Sequence, residues 1–510
     1  MNRMLKQIPV VLTAFLGLYP LPAMAAPCET LASMALPSAT ISVAETVATG
    51  EFTPPGETAG RAGFQSLPAF CRVVAELKPS SDSQINIEVW LPATGWNGNF
   101  QPAGNGNWGG SINFAEMANI LRSGFATAGT DTGHVGNVAS FAYEHPEKLV
   151  DFGYRAFHEM TVAAKAMASA YYGSGPKLSL INQCGGGSRE ALASVQRFPA
   201  DYDAAGVIGF DGHKTTLHFG QIWLYQATHK EPASYIPPEK YPMIHQAILN
   251  KCDALADGAK DGIVDNPEAC PWDPKEIQCK KGDGPNCLTA AQVEAVRTIY
   301  TPVINPRTKE KVNSQVFKGS ELGWAPTTGP NPFPNAIEFF KWVVFANPNW
   351  DYKTRPVNFD SDVAIAQGPA LSPLSAVNPN IAGFLDRGGK MLIVGGWADA
   401  AIAPGASIDY YKAVVATLGA DKTRDSVRLF MVPGMGHCLG KTGTDAFDFD
   451  SAKLLQDWKQ GGKAPDQTVA THYQNGKEVG KRLVCAYPKI AVYKGTGTPD
   501  DSANFTCKAP

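Results

Sequence analysis

Ile181-Asn182-Gln183-Cys184-Gly185-Gly186-Gly187-Ser188-Arg189-Glu190 is the stretch on which the reading of the whole chain turns. It follows the strand-like Lys177-Leu178-Ser179-Leu180 and precedes a helix-like run from Ala191 to Phe198, so three glycines fall on a strand-to-helix corner. Small residues permit a sharp turn there. A side chain at such a corner stands over the positive end of a helix, beside backbone N–H groups able to stabilise a developing negative oxygen. The tip of this corner carries no side-chain oxygen.

Composition limits what surrounds the corner. Arg3 and Lys6, an apolar run from Ile8 to Tyr19, and Ala23-Met24-Ala25 read as a cleaved secretory signal peptide over residues 1–25. Its removal takes the formal net charge from −3 to about −5, which argues against nucleic acid as a partner. No later apolar run reaches the roughly 18 residues of a membrane helix, so the expectation is a protein exported to the periplasm or the medium. All 10 cysteines follow the leader, and an even count in an exported chain reads as disulfides whose connectivity spacing alone leaves open.

Outward from the corner, Cys71 to Leu77 and Ile85 to Leu91 read as an antiparallel pair, the second with Ile85, Ile87, Val89 and Leu91 on one face. Gly104-Asn105-Gly106-Asn107-Trp108-Gly109-Gly110 is too glycine-rich for a helix or strand interior and suits backbone that approaches something closely. Phe125 to Thr130 is a buried-strand candidate, Arg155 to Tyr172 an alanine-rich helix, and Ala205 to Phe210 another strand. This alternation predicts a parallel sheet and an α/β fold.

From residue 213 to residue 385 the alternation gives way to loops, prolines and short helical pieces, read as an inserted lid domain; residues 26–212 and 386–510 then form the main domain. The lid contains Cys252 to Asp265, where Asp253, Asp257, Asp261 and Asp265 are spaced among turn glycines. Such oxygen-rich loops suit calcium, which accepts six to eight oxygens in flexible geometry. A solvated acidic loop is the alternative. The aromatics Trp223, Phe339, Phe340, Trp342 and Trp350 either line a pocket or fill a core, with core the commoner fate.

Strand signals resume at Lys390 to Val394, followed by Gly396-Trp397-Ala398-Asp399, and at Val427 to Val432, followed by Pro433-Gly434-Met435-Gly436-His437-Cys438. Corner, then acid, then histidine, each at a strand end, is the order of nucleophile, orienting acid and base in the α/β-hydrolase fold. A lone histidine near glycines is more often structural, but order and position raise His437 above the other eight.

Together these segments resemble the tannase and feruloyl esterase family of α/β-hydrolases, which also contains the bacterial enzyme that cleaves mono(2-hydroxyethyl) terephthalate. The matching stretches are Trp96 to Phe100, the glycine loop, Thr130-Asp131-Thr132-Gly133-His134, Arg155 to His158, the cysteine corner, Gly396 to Asp399, Val432 to Cys438, and Cys485-Ala486-Tyr487-Pro488. They span nearly the whole mature chain. The resemblance implies an α/β-hydrolase with an inserted lid that hydrolyses carboxylic esters of aromatic acids, with Asp399 and His437 as acid and base. Gly186 is an implied oxyanion donor, with a second from Gly106 or its neighbour Asn107. It further implies disulfides Cys28–Cys71, Cys184–Cys438, Cys252–Cys270, Cys279–Cys287 and Cys485–Cys507. A lid Ca2+ is implied on Asp253, Asp257 and Asp261 and the carbonyls of Ala259 and Ile263, in a loop with one more residue between its first two aspartates than the family pattern.

The departure is at the corner. The family pattern Gly-Cys-Ser-x-Gly-Gly-Arg places the nucleophile at Gly185. Glycine cannot form an acyl-enzyme, and three readings follow. Ser188 has taken over by a register shift, against which stands its suitability as a helix N-cap. Alternatively, His437 activates water directly and hydrolysis is slow. In the third, the chain is a catalytically inactive pseudoenzyme that still binds esters or phenolic acids.

Overall fold

The structure is a computed structural model that describes residues 25–55, 63–442 and 445–509; the leader read over residues 1–25 lies, apart from Ala25, outside the described residues. β1 (Ala39–Val47), β2 (Phe70–Leu77) and β3 (Ile85–Pro92) form an antiparallel meander. After the short β4 (Asn99–Phe100) comes β5 (Thr127–Thr130), which lies antiparallel beside β3. β6 (Leu178–Cys184) and β7 (Ala204–Ile208) pair in parallel. The intervening segment, 213–385, carries the helices Lys214–His229, Tyr241–Cys252 and Ala290–Ile299 and a hairpin of β8 (Val303–Ile304) and β9 (Lys311–Asn313). The parallel sheet then resumes with β10 (Lys390–Gly396) and β11 (Val427–Val432), in the order β11-β10-β7-β6-β4.

Backbone bonds from Ala126 to Asn99, Gln101 to Ala126 and Ala103 to Ala128 run between the two sheets, so β5 joins the meander to the parallel strands. The strand at Phe125 to Thr130 therefore serves two neighbours, which an apolar run by itself does not disclose.

Period-two alternation explains why the sheet is covered on both faces. Met391 and Ile393 belong to the core that holds Phe157, Met160, Leu192 and Val414, from the helices Ala156–Tyr172, Gly186–Arg197 and Gly405–Leu418. Leu392 and Val394 face the other way, into a second core shared with Leu121, Leu455 and Trp458 from Phe114–Arg122 and Ser451–Gly461. Continuous apolar strands buried on both faces are the mark of a parallel sheet between helical layers.

The chain ends in small sheets that sequence patterning missed: β12 (Ala446–Asp448), β13 (Gln467–Gln474) and β14 (Lys477–Cys485) in one, β15 (Ile490–Tyr493) and β16 (Phe505–Lys508) in another. Their burial patterns lack the clean alternation that period-two reading depends on. Five disulfides join Cys28–Cys71, Cys184–Cys438, Cys252–Cys270, Cys279–Cys287 and Cys485–Cys507, the same pairs the resemblance implies. Phe339, Phe340 and Trp350 are buried in a core that segment 213–385 shares with Trp108, Ala139, Leu149 and Phe152, while Trp223 and Trp342 are only partly buried against it.

Candidate active site

The corner is tighter than the sequence reading had it. The helix begins at Gly186, five residues before Ala191, and its N-cap is Gly185, at φ 58° and ψ −123°. This left-handed backbone is where glycine costs least. Ser188 is consequently the third residue of the helix and not its N-cap, because β6 runs straight into the turn. Its hydroxyl is fully buried, 2.7 Å from the Gly185 carbonyl and 3.1 Å from that of Gly209, and accepts the Asp211 N–H at 2.9 Å. Ser188 thus ties the corner to the end of β7.

β10 and β11 deliver the other two groups. Asp399, buried in the turn after β10, accepts the N–H groups of Ala401 and Ile402 at 2.8 and 2.9 Å on one oxygen. Its other oxygen lies 2.8 Å from His437 Nδ1. A carboxylate only accepts, so this contact fixes the proton on Nδ1 and leaves Nε2 as the working nitrogen. A Cβ built on Gly185 would stand 2.8 Å from that Nε2. Burial opposes the His437 imidazolium, but the Asp399 charge and hydrogen bond, with Asp211 adding, outweigh it and leave the pKa raised. Cys184 and Cys438 flank the corner and the histidine, and their bond holds the two Cα atoms 6.0 Å apart.

The glycine loop packs against the start of the helix. A Cβ on Gly186 would meet the Asn105 carbonyl oxygen at 3.0 Å and the nitrogen of Asn107 at 3.3 Å, so the glycine lets the two backbones approach with little side-chain bulk between them. Two acids pin the loop: the half-buried Glu116 accepts the Gly104 N–H at 3.2 Å and the buried Glu190 the Asn105 N–H at 3.1 Å. Burial pushes the Glu116 carboxyl up to about 7 and that of Glu190 up to about 8. Asn105 donates its side-chain amide to Thr130 O, and His134 Nε2 lies 2.7 Å from the Trp108 carbonyl, which accounts for the Thr130 to His134 motif beside this loop. Sequence reading missed Glu116, Glu190 and Asp211: isolated acids in helical or loop runs carry no periodic signal.

In the acidic lid loop, carboxylate oxygens of Asp257, Asp261 and Asp265 lie within 4.8 Å of one another. Asp253 is turned elsewhere, accepting N–H groups of Asp261 and Gly262 at 3.2 Å. The buried guanidinium of Arg482, from β14, bonds Asp261 at 2.6 Å, Asp257 at 3.4 Å, and Asp265. Three carboxylates against one guanidinium leave negative charge in a buried place. Burial and the Asp265 charge push the Asp257 carboxyl up to about 8, and Asp265 Oδ1 has no partner. A hard cation fits this donor set. The signal in the sequence was Asp265, four residues past Asp261, which the expected ligand set leaves out.

A nucleophile corner, an acid and a histidine at the ends of the parallel strands β6, β10 and β11 define an α/β-hydrolase site. The family follows from sequence: the chain belongs to the tannase and feruloyl esterase family, whose model matches residues 71–508. It is 36% identical to an uncharacterised esterase of Xanthomonas campestris pv. campestris over 94% of this chain and 91% of that one. It is 31% identical to feruloyl esterase B of Aspergillus niger over 90% of this chain and 91% of that one. The crystal structure of feruloyl esterase B from Aspergillus oryzae superposes with a TM-score of 0.86 at 29% identity, covering 94% of this chain and 99% of that one. The family is one of carboxylic ester hydrolases.

Proposed function

We propose that this chain is an exported carboxylic ester hydrolase acting on esters of aromatic acids, with a rate impaired by Gly185. The observation that carries the proposal is the Asp399–His437 pair, whose free Nε2 is directed at the corner where a nucleophile would stand. In this reading water takes the place of the missing hydroxyl. His437 Nε2 accepts its proton as the water oxygen attacks the ester carbonyl, and the N–H of Gly186 with that of Gly106 or Asn107 stabilises the oxyanion. His437 then returns the proton to the leaving alkoxide. Without a covalent step the gain over water is of the order of 10³ to 10⁴, the residue left when a triad member is lost. Ser188 has no part in this chemistry, since its hydroxyl is spent on Gly185, Gly209 and Asp211.

A second reading is a catalytically inactive protein that binds esters or phenolic acids, and the missing side chain at Gly185 favours it. Hydrolysis of methyl ferulate and methyl gallate by the parent and by His437→Ala separates the two. A slow parent rate that disappears in His437→Ala supports the hydrolase, and a parent rate equal to that of His437→Ala supports the binding protein. Ca2+ belongs to the same proposal: Asp257, Asp261 and Asp265 would hold it, with carbonyls of Ala259 and Ile263, and it would neutralise the carboxylate charge that the single Arg482 guanidinium leaves over. Its role there is structural. Export rests on the leader-like residues 1–25 and the five disulfides.

A further inference from the structure

Asn107 is gripped from two sides. It is one of the few non-glycine residues with a left-handed backbone, at φ 54°, in the loop that packs on Gly186. Its carbonyl oxygen lies 3.4 Å from Lys214 Nζ. Its side-chain oxygen accepts a bond of 2.7 Å from the Nδ2 of Asn335, in the lid segment Pro334–Glu338. The Asn335 carbonyl in turn lies 3.4 Å from the indole N–H of Trp108. Lys214 is a buried cation on the first residue of Lys214–His229, 4.8 Å over the Trp108 ring and 3.3 Å from Asp211. The chemistry proposed above gives neither Lys214 nor Asn335 a task, and a buried ammonium with only long contacts has a poor structural rationale.

We infer that Lys214 and Asn335 are positioning residues that clamp Asn107, hold the Gly106–Asn107 peptide against Gly186, and so make the oxyanion site dependent on the lid. A left-handed φ is one asparagine tolerates, and side-chain and carbonyl bonds from two elements fix it there. The Lys214 charge also stands behind the loop in a place where water screens it little, and so favours negative charge in front of it. Because Asn335 belongs to the lid, a displaced lid segment would release one side of the clamp, coupling closure over a substrate to assembly of the site.

The inference rests on the ester-hydrolase reading of the site, and the test separates the two. Calorimetry on the full mature chain compares a neutral methyl arylcarboxylate with a tetrahedral anion of the same shape, the methyl arylphosphonate. The parent is expected to prefer the anion. Asn335→Ala, Asn107→Gly and Lys214→Met should each cut that preference about tenfold while binding of the neutral ester stays within about twofold. Asn335→Ala placed on Asn107→Gly should add nothing, since both remove one bond. Lys214→Met leaves Asp211 unbalanced, so Lys214→Met with Asp211→Asn provides a second version with no stranded charge. No anion preference in the parent overturns the oxyanion reading and the clamp with it. A preference that survives all of these substitutions overturns the clamp alone. Equal weakening of both ligands assigns Lys214 and Asn335 to general stability and also overturns it.

Discussion

A Cβ on Gly185 would lie 2.8 Å from His437 Nε2, closer than real Cβ atoms approach a neighbour, so the imidazole occupies part of the space a nucleophilic side chain needs. Asp399 holds the imidazole in that place through its 2.8 Å contact with Nδ1.

Gly185→Ser is therefore expected to restore covalent catalysis at some structural cost. His437 must retreat by a few tenths of an ångström, and a serine at φ 58° carries about 1–2 kcal/mol of backbone strain. The rate on methyl ferulate or methyl gallate should rise by about 10² or more, with an acyl-enzyme visible by mass spectrometry after rapid quench. A substitution that adds nothing to the rate would place the nucleophile elsewhere.

Ser188→Ala is the complementary test. It removes the partner of the Asp211 N–H and the hydroxyl contacts to the Gly185 and Gly209 carbonyls, the first of which keeps the backbone N–H of residue 188, so a loss of about 1–3 kcal/mol in denaturant unfolding is expected. In the Gly185→Ser background kcat should be cut far less than by His437→Ala. Loss of all activity with stability intact would make Ser188 the nucleophile.

The pH profile follows from the raised His437 pKa. A general base works deprotonated, so the rate should rise with pH through a midpoint above the ordinary 6.5. His437→Ala should abolish that limb. A profile already flat at pH 6 would contradict the coupling to Asp399.

Stability should depend on pH through Glu190. Burial raises its folded-state carboxyl from 4.5 to about 8, so over that interval the folded state binds more protons than the unfolded one, and stability falls as pH rises. Glu190→Gln keeps an acceptor for Asn105 N–H without a charge to bury. Melting temperatures from pH 5 to 9 should decline less steeply in the variant than in the parent; parallel curves would show that Glu190 is not the source.

Calcium should stabilise the parent. At a hundredfold excess over Kd the gain is about 2.7 kcal/mol, read as a rise in melting temperature that a chelator reverses. Asp257→Asn should abolish the response, and Asp253→Asn should leave most of it, because Asp253 faces amides instead of the converging carboxylates.

The sheet was legible in advance because β7, β10 and β11 are mostly apolar, β6 carries Leu178, Leu180 and Ile181, and each runs into a glycine-bearing turn, a pattern that suits strands buried between helical layers. Gly185, Asp399 and His437 were legible for a related reason: each sits at the end of such a strand, so chain order predicts their meeting. The glycine loop was visible as a loop, but Glu116, Glu190 and Lys214, which hold it, were not.

The sequence by itself determined the parallel α/β core, the place of the corner, the order of acid and histidine after it, and the absence of any side-chain oxygen at Gly185. These are local matters of periodicity, turn chemistry and residue type. Only the tertiary structure decided that Ser188 faces inward to Gly185 O, Gly209 O and Asp211 N–H, that Asp265 and not Asp253 completes the carboxylate group around Arg482, and that Asn335 of the lid reaches Asn107. Those contacts join residues as far apart as Asp265 and Arg482, or Asn107 and Asn335. Which distant polar groups meet in a buried site is fixed by packing of whole elements, and no pattern within one element records it.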